Sequence, residues 1–220
     1  FTMVQLASAT ATLVSGGQRF QPRLVREIRN VVSQVTTAVS GEALPPLDFK
    51  PEHVAVVTNA MYGVTQEGTS RAVFMGAPYK TGGKTGTAQA VSIRANEKYN
   101  ASRLTEYQRD HSLYTAFGPL ESPTVALAIV VENAGFGSAA AAPMARRVFD
   151  YLINGQWPSE EDLQATREGR SVAPIGTPRR ADEVPLGTMG LAALTTSPMR
   201  QTTALAVPAA TAATPMRATP

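Results

Sequence analysis

Cysteine is absent from this 220-residue chain, which also has only two histidines. Without cysteine there is no disulfide, no thiolate nucleophile and no sulfur ligand for a metal, and two histidines make a histidine-rich metal site unpromising. Long hydrophobic runs are absent too, because the longest, Val125–Val131, has seven residues. A helix that crosses a bilayer needs about 20. The sequence therefore predicts no metal site and no membrane-spanning helix within these residues.

A strong excess of one charge is missing as well. Twenty lysines and arginines accompany 17 aspartates and glutamates, which leaves a formal net charge of +3. Proteins that hold nucleic acid concentrate basic residues on one face or along one helix. Because the excess here is small and scattered, we expect no nucleic acid among the partners.

Aromatic residues end at Trp157, and the sequence beyond it is dominated by alanine, threonine and proline towards its end. A segment without aromatics buries too little apolar surface to offset the entropy lost on ordering. We therefore predict a folded part at residues 1–157 and a disordered Ala/Thr/Pro-rich tail at residues 158–220.

The apolar pattern of the folded part predicts helices at both ends and strands clustered late in the chain. The predicted helices cover residues 2–15, 51–64 and 139–153, with a short helical turn at 71–75. The predicted strands are a short run at 20–28, a glycine-rich strand within 77–93, and a pair at 112–117 and 124–132. Residues 30–47 are predicted to form a connecting loop, and residues 96–109 a polar excursion. This order favours an α+β fold in which helices flank an antiparallel sheet.

The stretch from Gly82 to Gln89 reads Gly-Gly-Lys-Thr-Gly-Thr-Ala-Gln and is the most informative in the chain. A phosphate-binding loop of the form G-x-x-x-x-G-K-[ST] is one explanation. Its first glycine is replaced by Pro78, which lacks the N–H that a phosphate cradle uses. A β-like segment also follows where a helix should begin. Nucleotide binding is therefore disfavoured, and we expect no cofactor.

The second explanation is the Lys-Thr-Gly strand of serine acyl-transferases that bind penicillin. A strand at the edge of a cleft lets a peptide substrate add as a further strand. Lys84 places a cation near the terminal carboxylate of the substrate and the nucleophile, and Thr85 and Thr87 offer it hydroxyl groups. Gly86 permits close approach of the substrate backbone, and an N–H after it can point into an oxyanion hole. Taken alone, the tetrapeptide also fits an exposed turn between two strands.

Four stretches, in this order and spacing, make the chain resemble the penicillin-binding transpeptidases over roughly residues 2–153, and within them the elongation-specific class. They are Met61–Val64, residues 78–89, Lys98–Ala101, and Arg109–His111 with Thr115–Phe117. The resemblance implies a helix-flanked antiparallel sheet of the kind shared with serine β-lactamases. It also implies a serine that attacks the D-Ala-D-Ala end of a peptidoglycan stem peptide, releases D-Ala and passes the acyl group to an amine. β-Lactams would trap that serine.

The resemblance further implies a place for the protein and roles for residues. The location is the periplasmic face of the bacterial inner membrane, with the anchor upstream of this chain, beside a membrane glycosyltransferase of the elongation machinery. Stem peptides and β-lactams are the implied ligands. Residues Lys84, Thr85, Gly86 and Thr87 are the implied substrate-binding residues. Lys84 and Thr87 are also the implied catalytic ones, with the N–H of Thr87 as an oxyanion donor.

The sequence departs from the family at two motifs. No lysine follows a serine by three residues, so the S-x-x-K nucleophile motif is missing, and no asparagine follows a serine or tyrosine by two. In the family both motifs lie upstream of the helix with which this chain begins, and the chain starts with Phe1 instead of methionine. We therefore expect a C-terminal fragment that carries one wall of the site, is inactive alone and pairs with the upstream part of the same polypeptide.

Two other classes remain open at this point. D,D-carboxypeptidases and β-lactamase-like hydrolases share the Lys-Thr-Gly motif, and a non-catalytic cell-wall interaction domain could keep the fold without a nucleophile. Outside the motif, His111 beside Asp110 is interpreted as a hydrogen-bonded structural residue, and Arg146–Arg147 as part of a solvated helix face.

Overall fold

The computed structural model describes residues 1–92, 100, 104–170 and 172–184, which contain both helices and strands. The helices are α1 (Met3–Val14), α2 (Pro51–Gln66), α3 (Arg71–Phe74), α4 (Ala141–Asn154) and α5 (Glu160–Arg167). The strands are β1 (Arg19–Phe20), β2 (Glu27–Arg29), β3 (Thr36–Ala38), β4 (Ala43–Leu44), β5 (Gly82–Ala88), β6 (His111–Gly118), β7 (Val125–Val131), β8 (Gln156–Trp157) and β9 (Arg179–Arg180). Among these residues no helix has the length and apolarity to cross a membrane.

The central sheet is antiparallel and has the strand order β5-β6-β7. Its register pairs Lys84 with Thr115 and Thr85 with Tyr114. Since neighbouring residues of a strand point to opposite faces, Thr115 and Tyr114 mark the two faces of the sheet. Thr115 shares a hollow with residues of α1 and α2, whereas Tyr114 packs against the ring of Phe74 in α3. Helices α1 and α2 therefore cover one face, and α3 and α4 cover the other.

Aromatic packing on the second face forms the core. The ring centroids of Phe74 and Tyr114 lie 6.1 Å apart, and those of Phe74 and Phe149 lie 6.3 Å apart. Tyr114 and Phe149 are completely buried. Small residues of α4, Ala141, Ala142 and Ala145, let this helix approach the sheet closely. The predicted α+β fold with an antiparallel sheet flanked by helices is confirmed.

Local signals placed most of these elements correctly. The side chain of Thr2 caps α1 in a reciprocal capping box with Gln5, and Pro51 occupies the first turn of α2. The predicted loop at 30–47 is wrong, because β3 and β4 lie within it and pair with β2 and β1. These strands have two or three residues and expose almost every side chain. No buried face therefore imposes the alternation that identifies a strand.

The folded part extends beyond the boundary predicted after Trp157. Helix α5 and strand β9 lie inside the predicted tail, and β9 pairs with β8. The compact unit runs to Val184. Ser159 begins α5 by accepting a hydrogen bond from the Asp162 N–H, and three acidic residues follow in the first turn. These features are typical of the start of a helix. The prediction of a disordered tail gave more weight to the absence of aromatic residues. The rest of the predicted tail, from residue 185, lies outside the described residues.

The prediction that Arg146 and Arg147 form a solvated face is wrong. The Arg146 Nε donates to both carboxylate oxygens of Asp150 at 3.0 Å, and its Nη1 donates to the Val73 carbonyl at 3.1 Å. Arg147 makes a two-point contact with Asp162 in α5, at 3.0 and 2.6 Å. Two adjacent arginines thus fix α4 to α3 on one side and to α5 on the other.

Burial of Tyr114 predicts an alkaline limit to stability. Burial raises the pKa of its phenol to about 12, whereas the ordinary value is 10.0. The folded state then holds this proton more tightly than the unfolded chain, so the free energy of unfolding falls by about 2 kcal/mol as the pH rises from 10 to 12. Urea unfolding at several alkaline pH values measures this slope. Tyr114→Phe should show a shallower slope, and equal slopes in both proteins would contradict the assignment.

Candidate active site at the lysine-bearing strand

The four predicted site residues Lys84, Thr85, Gly86 and Thr87 lie consecutively in β5. One edge of β5 pairs with β6 along its whole length, and within the described residues the other edge has no strand partner. An unpaired strand edge presents N–H and C=O groups that can bind an extended peptide. The strand therefore has the geometry that strand addition requires, while the roles of the four residues stay a prediction.

Lys84 is exposed and faces the side of α1 and α2. Its ammonium donates a hydrogen bond to the carbonyl of its own neighbour, Thr85, at 2.8 Å. The side chain lines an open, mainly apolar hollow of about 600 Å³, together with Thr115 and with residues of both helices. Because this is the only hydrogen bond of the ammonium within the described part of the chain, Lys84 is available to a partner or a ligand beside the open hollow.

The phosphate-loop alternative does not fit this geometry. Lys84 and Thr85 lie in the middle of a strand that continues to Ala88, and no helix begins after them within the described residues up to 92. A phosphate loop places its lysine at the start of a helix, where backbone N–H groups converge on the anion. Among the described residues there is also no group of three or more histidines or acids that could hold a metal ion.

The two threonines occupy the opposite face of β5 from Lys84. The hydroxyl oxygen of Thr85 lies 2.9 Å from that of Thr69, which follows α2. Thr87 is exposed and is the register partner of the buried Ser112. One hydroxyl is therefore held by a neighbouring turn, and the other is open to a ligand. Sequence reasoning did not identify Thr69, which lies in an ordinary turn sequence.

The two glycines that precede Lys84 leave room for aromatic side chains of the neighbouring strand β6. A Cβ atom at Gly83 would fall 2.1 Å from the Tyr114 hydroxyl, and one at Gly82 would fall 2.4 Å from the Phe117 ring. A side chain at either position would therefore collide with an aromatic ring of β6 that covers β5. The Gly-Gly pair of the motif thus serves packing in this protein, in addition to its place in the sequence signature.

A buried polar cluster fixes the segment that leads into β5. The Tyr79 hydroxyl donates to Asp150 at 2.6 Å, and the Arg146 guanidinium lies 5.8 Å from the centre of the Tyr79 ring. Burial and the Asp150 carboxylate raise the pKa of the Tyr79 phenol well above its ordinary value. This residue belongs to one of the stretches that carry the family resemblance, and here it attaches the start of the lysine-bearing strand to α4.

Behind β5 and β6, residues 132–140 form a turn that we call the support loop. The Nδ1 atom of His111 accepts a hydrogen bond from the Asn133 N–H at 3.0 Å. The Ser112 hydroxyl donates to the Phe136 carbonyl and accepts from the Ala141 N–H. His111 is thus a structural residue, as interpreted from the sequence. The predicted stretch Lys98–Ala101 lies outside the described residues except for Asn100.

Comparison with known proteins gives consistent matches. The penicillin binding protein transpeptidase domain family matches residues 1–150. The chain is 38% identical over 165 residues to the peptidoglycan D,D-transpeptidase MrdA of Haemophilus influenzae, covering 73% of this chain and 25% of the relative. It is 36% identical over 167 residues to the Escherichia coli protein of that name, covering 74% and 26%. The chain thus spans about a quarter of the length of these relatives.

Solved structures of penicillin-binding proteins are also similar to this chain. PBP2 of Pseudomonas aeruginosa, in complex with WCK 5153, superposes with a TM-score of 0.52 at 29% identity, covering 68% of this chain and 30% of that one. An imipenem acyl-enzyme complex of penicillin-binding protein A from Mycobacterium tuberculosis gives 0.51 at 26% identity, covering 70% and 31%. The resemblance stated from the sequence is confirmed by these matches.

Proposed function

The chain belongs to the penicillin-binding protein transpeptidase domain family, and we propose that it supplies the Lys-Thr-Gly wall of a peptidoglycan D,D-transpeptidase. In this proposal a serine outside these 220 residues attacks the D-Ala-D-Ala end of a stem peptide. The acyl group then passes to an amine of a neighbouring strand. The observation that carries the proposal is the edge of β5 at residues 84–87, which has no strand partner in the part of the chain that the structure describes.

Each residue of this wall has a chemical role in the proposal. The stem peptide adds to β5 as a further strand, so its backbone groups pair with the unpaired edge. The hydroxyl groups of Thr85 and Thr87 hold its terminal carboxylate from one face of β5, and the charge of Lys84, on the other face, attracts that carboxylate across the open edge of the strand. The Thr87 N–H stabilises the oxyanion of the tetrahedral intermediate, because a fixed donor costs no reorganisation when charge develops.

The proposal includes ligands, partners and a location. β-Lactams mimic the stem-peptide end and acylate the same serine, as in the imipenem acyl-enzyme of the mycobacterial relative. The upstream part of the same polypeptide carries the nucleophile and packs against the hollow beside Lys84. The complete protein works at the periplasmic face of the inner membrane, beside a membrane glycosyltransferase of the elongation machinery.

Hydrolytic and non-catalytic functions are distinguished from this one by their products. A D,D-carboxypeptidase or a β-lactamase-like hydrolase passes the acyl group to water, whereas a transpeptidase passes it to an amine. An interaction domain forms no acyl-enzyme at all. The relatives above are named D,D-transpeptidases, and this favours transfer to an amine.

Reading the gene upstream of Phe1 and then labelling its product tests the proposal. We expect an in-frame S-x-x-K motif before this chain, and we refer to the product of the whole reading frame as the complete polypeptide. Fluorescent penicillin should label the complete polypeptide on that serine and should leave the 220-residue chain unlabelled. A start codon at this chain, or saturable labelling of the chain alone, would overturn the proposal.

A further inference from the structure

We propose that Gly137 is a positioning residue, through which the support loop sets the place of Gly86 and Thr87 in β5. This inference rests on the proposed function, because it concerns the wall that receives the carboxyl end of the substrate. It adds a residue that lies 50 positions after the motif and outside every stretch that carries the family resemblance.

The first observation is the close approach of Gly137 to the sheet. A Cβ atom at Gly137 would lie 2.3 Å from the Leu113 carbonyl oxygen, 2.6 Å from the Gly86 oxygen and 3.0 Å from the Gly86 nitrogen. Gly86 and Leu113 are register partners. The backbone of Gly137 therefore lies directly against the backbone of this register pair, at the third residue of the motif.

Gly137 and Gly135 are both glycines, but for different reasons. At Gly137 there is no space for a side chain, whereas at Gly135 the backbone adopts a conformation that favours glycine. The backbone of Gly135 has φ +77°, in the left-handed region, and open space where its Cβ would be. Gly137 has no left-handed φ and no space for a Cβ atom. The same loop thus contains two glycines whose substitution tests two different physical effects.

The support loop is fixed on both sides of Gly137. Before it, the Gly135 N–H donates to the Asp110 carbonyl at 2.8 Å, and the Phe136 carbonyl accepts from Ser112 at 2.9 Å. After it, the Gly137 carbonyl accepts from the Ala142 N–H at 2.9 Å. The completely buried Ser112 also accepts from the Ala141 N–H at 3.0 Å. Because these contacts hold the loop, a methyl group at residue 137 displaces the peptide groups of β5 and β6.

A displacement of Gly86 also displaces the N–H of the next residue, Thr87, which is the proposed oxyanion donor. The Thr87 N–H follows Gly86 directly, and an oxyanion donor acts only when it lies within hydrogen-bond distance of the developing charge. A misplacement of about 1 Å costs up to about 100-fold in rate. The support loop thus acts on the reaction from behind the sheet and needs no contact with the substrate.

Gly137→Ala and Gly135→Ala in the complete polypeptide form the matched test. We expect Gly137→Ala to slow acylation by penicillin at least about tenfold and to shift the amide resonances of Gly86 and Thr87 in the 220-residue chain. Gly135→Ala should lower the urea midpoint of unfolding, because alanine is strained at this left-handed φ, yet leave both the acylation rate and those resonances unchanged. Acylation that falls in proportion to stability in both variants would overturn the inference.

Ser112→Ala is the second variant, because it releases the loop without adding a methyl group against β5. The amide of Gly86 should then exchange with solvent faster, and acylation should slow. If Gly137→Ala does not fold, the result for Ser112→Ala decides the matter. Unchanged exchange and acylation in this variant would contradict the inference. A complete polypeptide that is never acylated, even without substitution, would instead contradict the proposed function.

Discussion

Replacing Lys84 with alanine is expected to slow acylation of the complete polypeptide by about 100-fold, with the fold unchanged. The magnitude is that of losing a contact that positions the reacting groups, because Lys84 holds the terminal carboxylate in this account. Lys84 is exposed, and among the residues that the structure describes its ammonium bonds only to the carbonyl of the next residue of its own strand, so little stability depends on it. The rate of labelling by fluorescent penicillin and the free energy of unfolding measure the two effects.

Lys80→Ala is the matched control for this substitution. Lys80 is also exposed and lies four residues earlier in the same segment, but its ammonium pairs with Glu121 at 3.2 Å, away from the motif. An exposed ion pair of this kind contributes at most about 1 kcal/mol. We expect Lys80→Ala to label at the rate of the unsubstituted protein. Equal slowing in both variants would mean that general surface charge, and not Lys84, attracts the penicillin carboxylate.

The largest expected effect on stability comes from Asp162→Asn. Asp162 is 1% exposed and makes its two-point contact with Arg147, which is 11% exposed. Removing one partner of such a pair leaves the other charge buried without compensation, and this costs about 3–5 kcal/mol. Urea unfolding of the 220-residue chain measures the loss. The variant tests directly whether the segment after Trp157 belongs to the folded unit.

Glu160→Gln provides the comparison within the same helix. Glu160 also lies in the first turn of α5 and also pairs with an arginine, Arg179, at 2.6 Å, but its side chain is largely exposed. Its replacement should change the free energy of unfolding by less than about 1 kcal/mol. If the two variants lose similar amounts, the contact between α4 and α5 contributes little, and the predicted boundary after Trp157 would stand.

The elements that the sequence predicts well are those with a strong local signal. Helix α1 has a capping box at Thr2, and α2 has Pro51 in its first turn. Strand β7 is a run of seven apolar residues, and a Gly-Pro turn separates it from β6. The strand pairs before α2 were not predicted because they are short and exposed. No buried face therefore imposes the alternation of apolar and polar residues that identifies a strand. Local chemistry therefore predicts an element only where the chain itself supplies the cap or the apolar face.

One tetrapeptide and its neighbours are enough to propose the candidate site from the sequence, but the contacts that support this strand could not be predicted. The Lys-Thr-Gly-Thr motif and the order of the surrounding stretches identify the family. The pair that Arg146 forms with Asp150 is local, because the two residues lie four positions apart in α4, but such a pair is also typical of an exposed helix face. The burial of Arg146 comes from Val73 and Tyr79, which become its neighbours only when α4 packs on α3 and on the segment before β5. Gly137 meets Gly86 only in the folded sheet. Tertiary packing creates these contacts, and the sequence supplies only the residues that permit them.

The structure of the complete polypeptide acylated by a penicillin tests the central claim most directly. The account predicts that the penicillin carboxylate lies within hydrogen-bond distance of the hydroxyl of Thr85 or Thr87 and close to Lys84. It also predicts that the ligand runs along the edge of β5 that is unpaired in this structure, with its acyl oxygen accepting from the Thr87 N–H. A covalent adduct whose carboxylate lies elsewhere, with that edge covered by another part of the protein, would contradict the account.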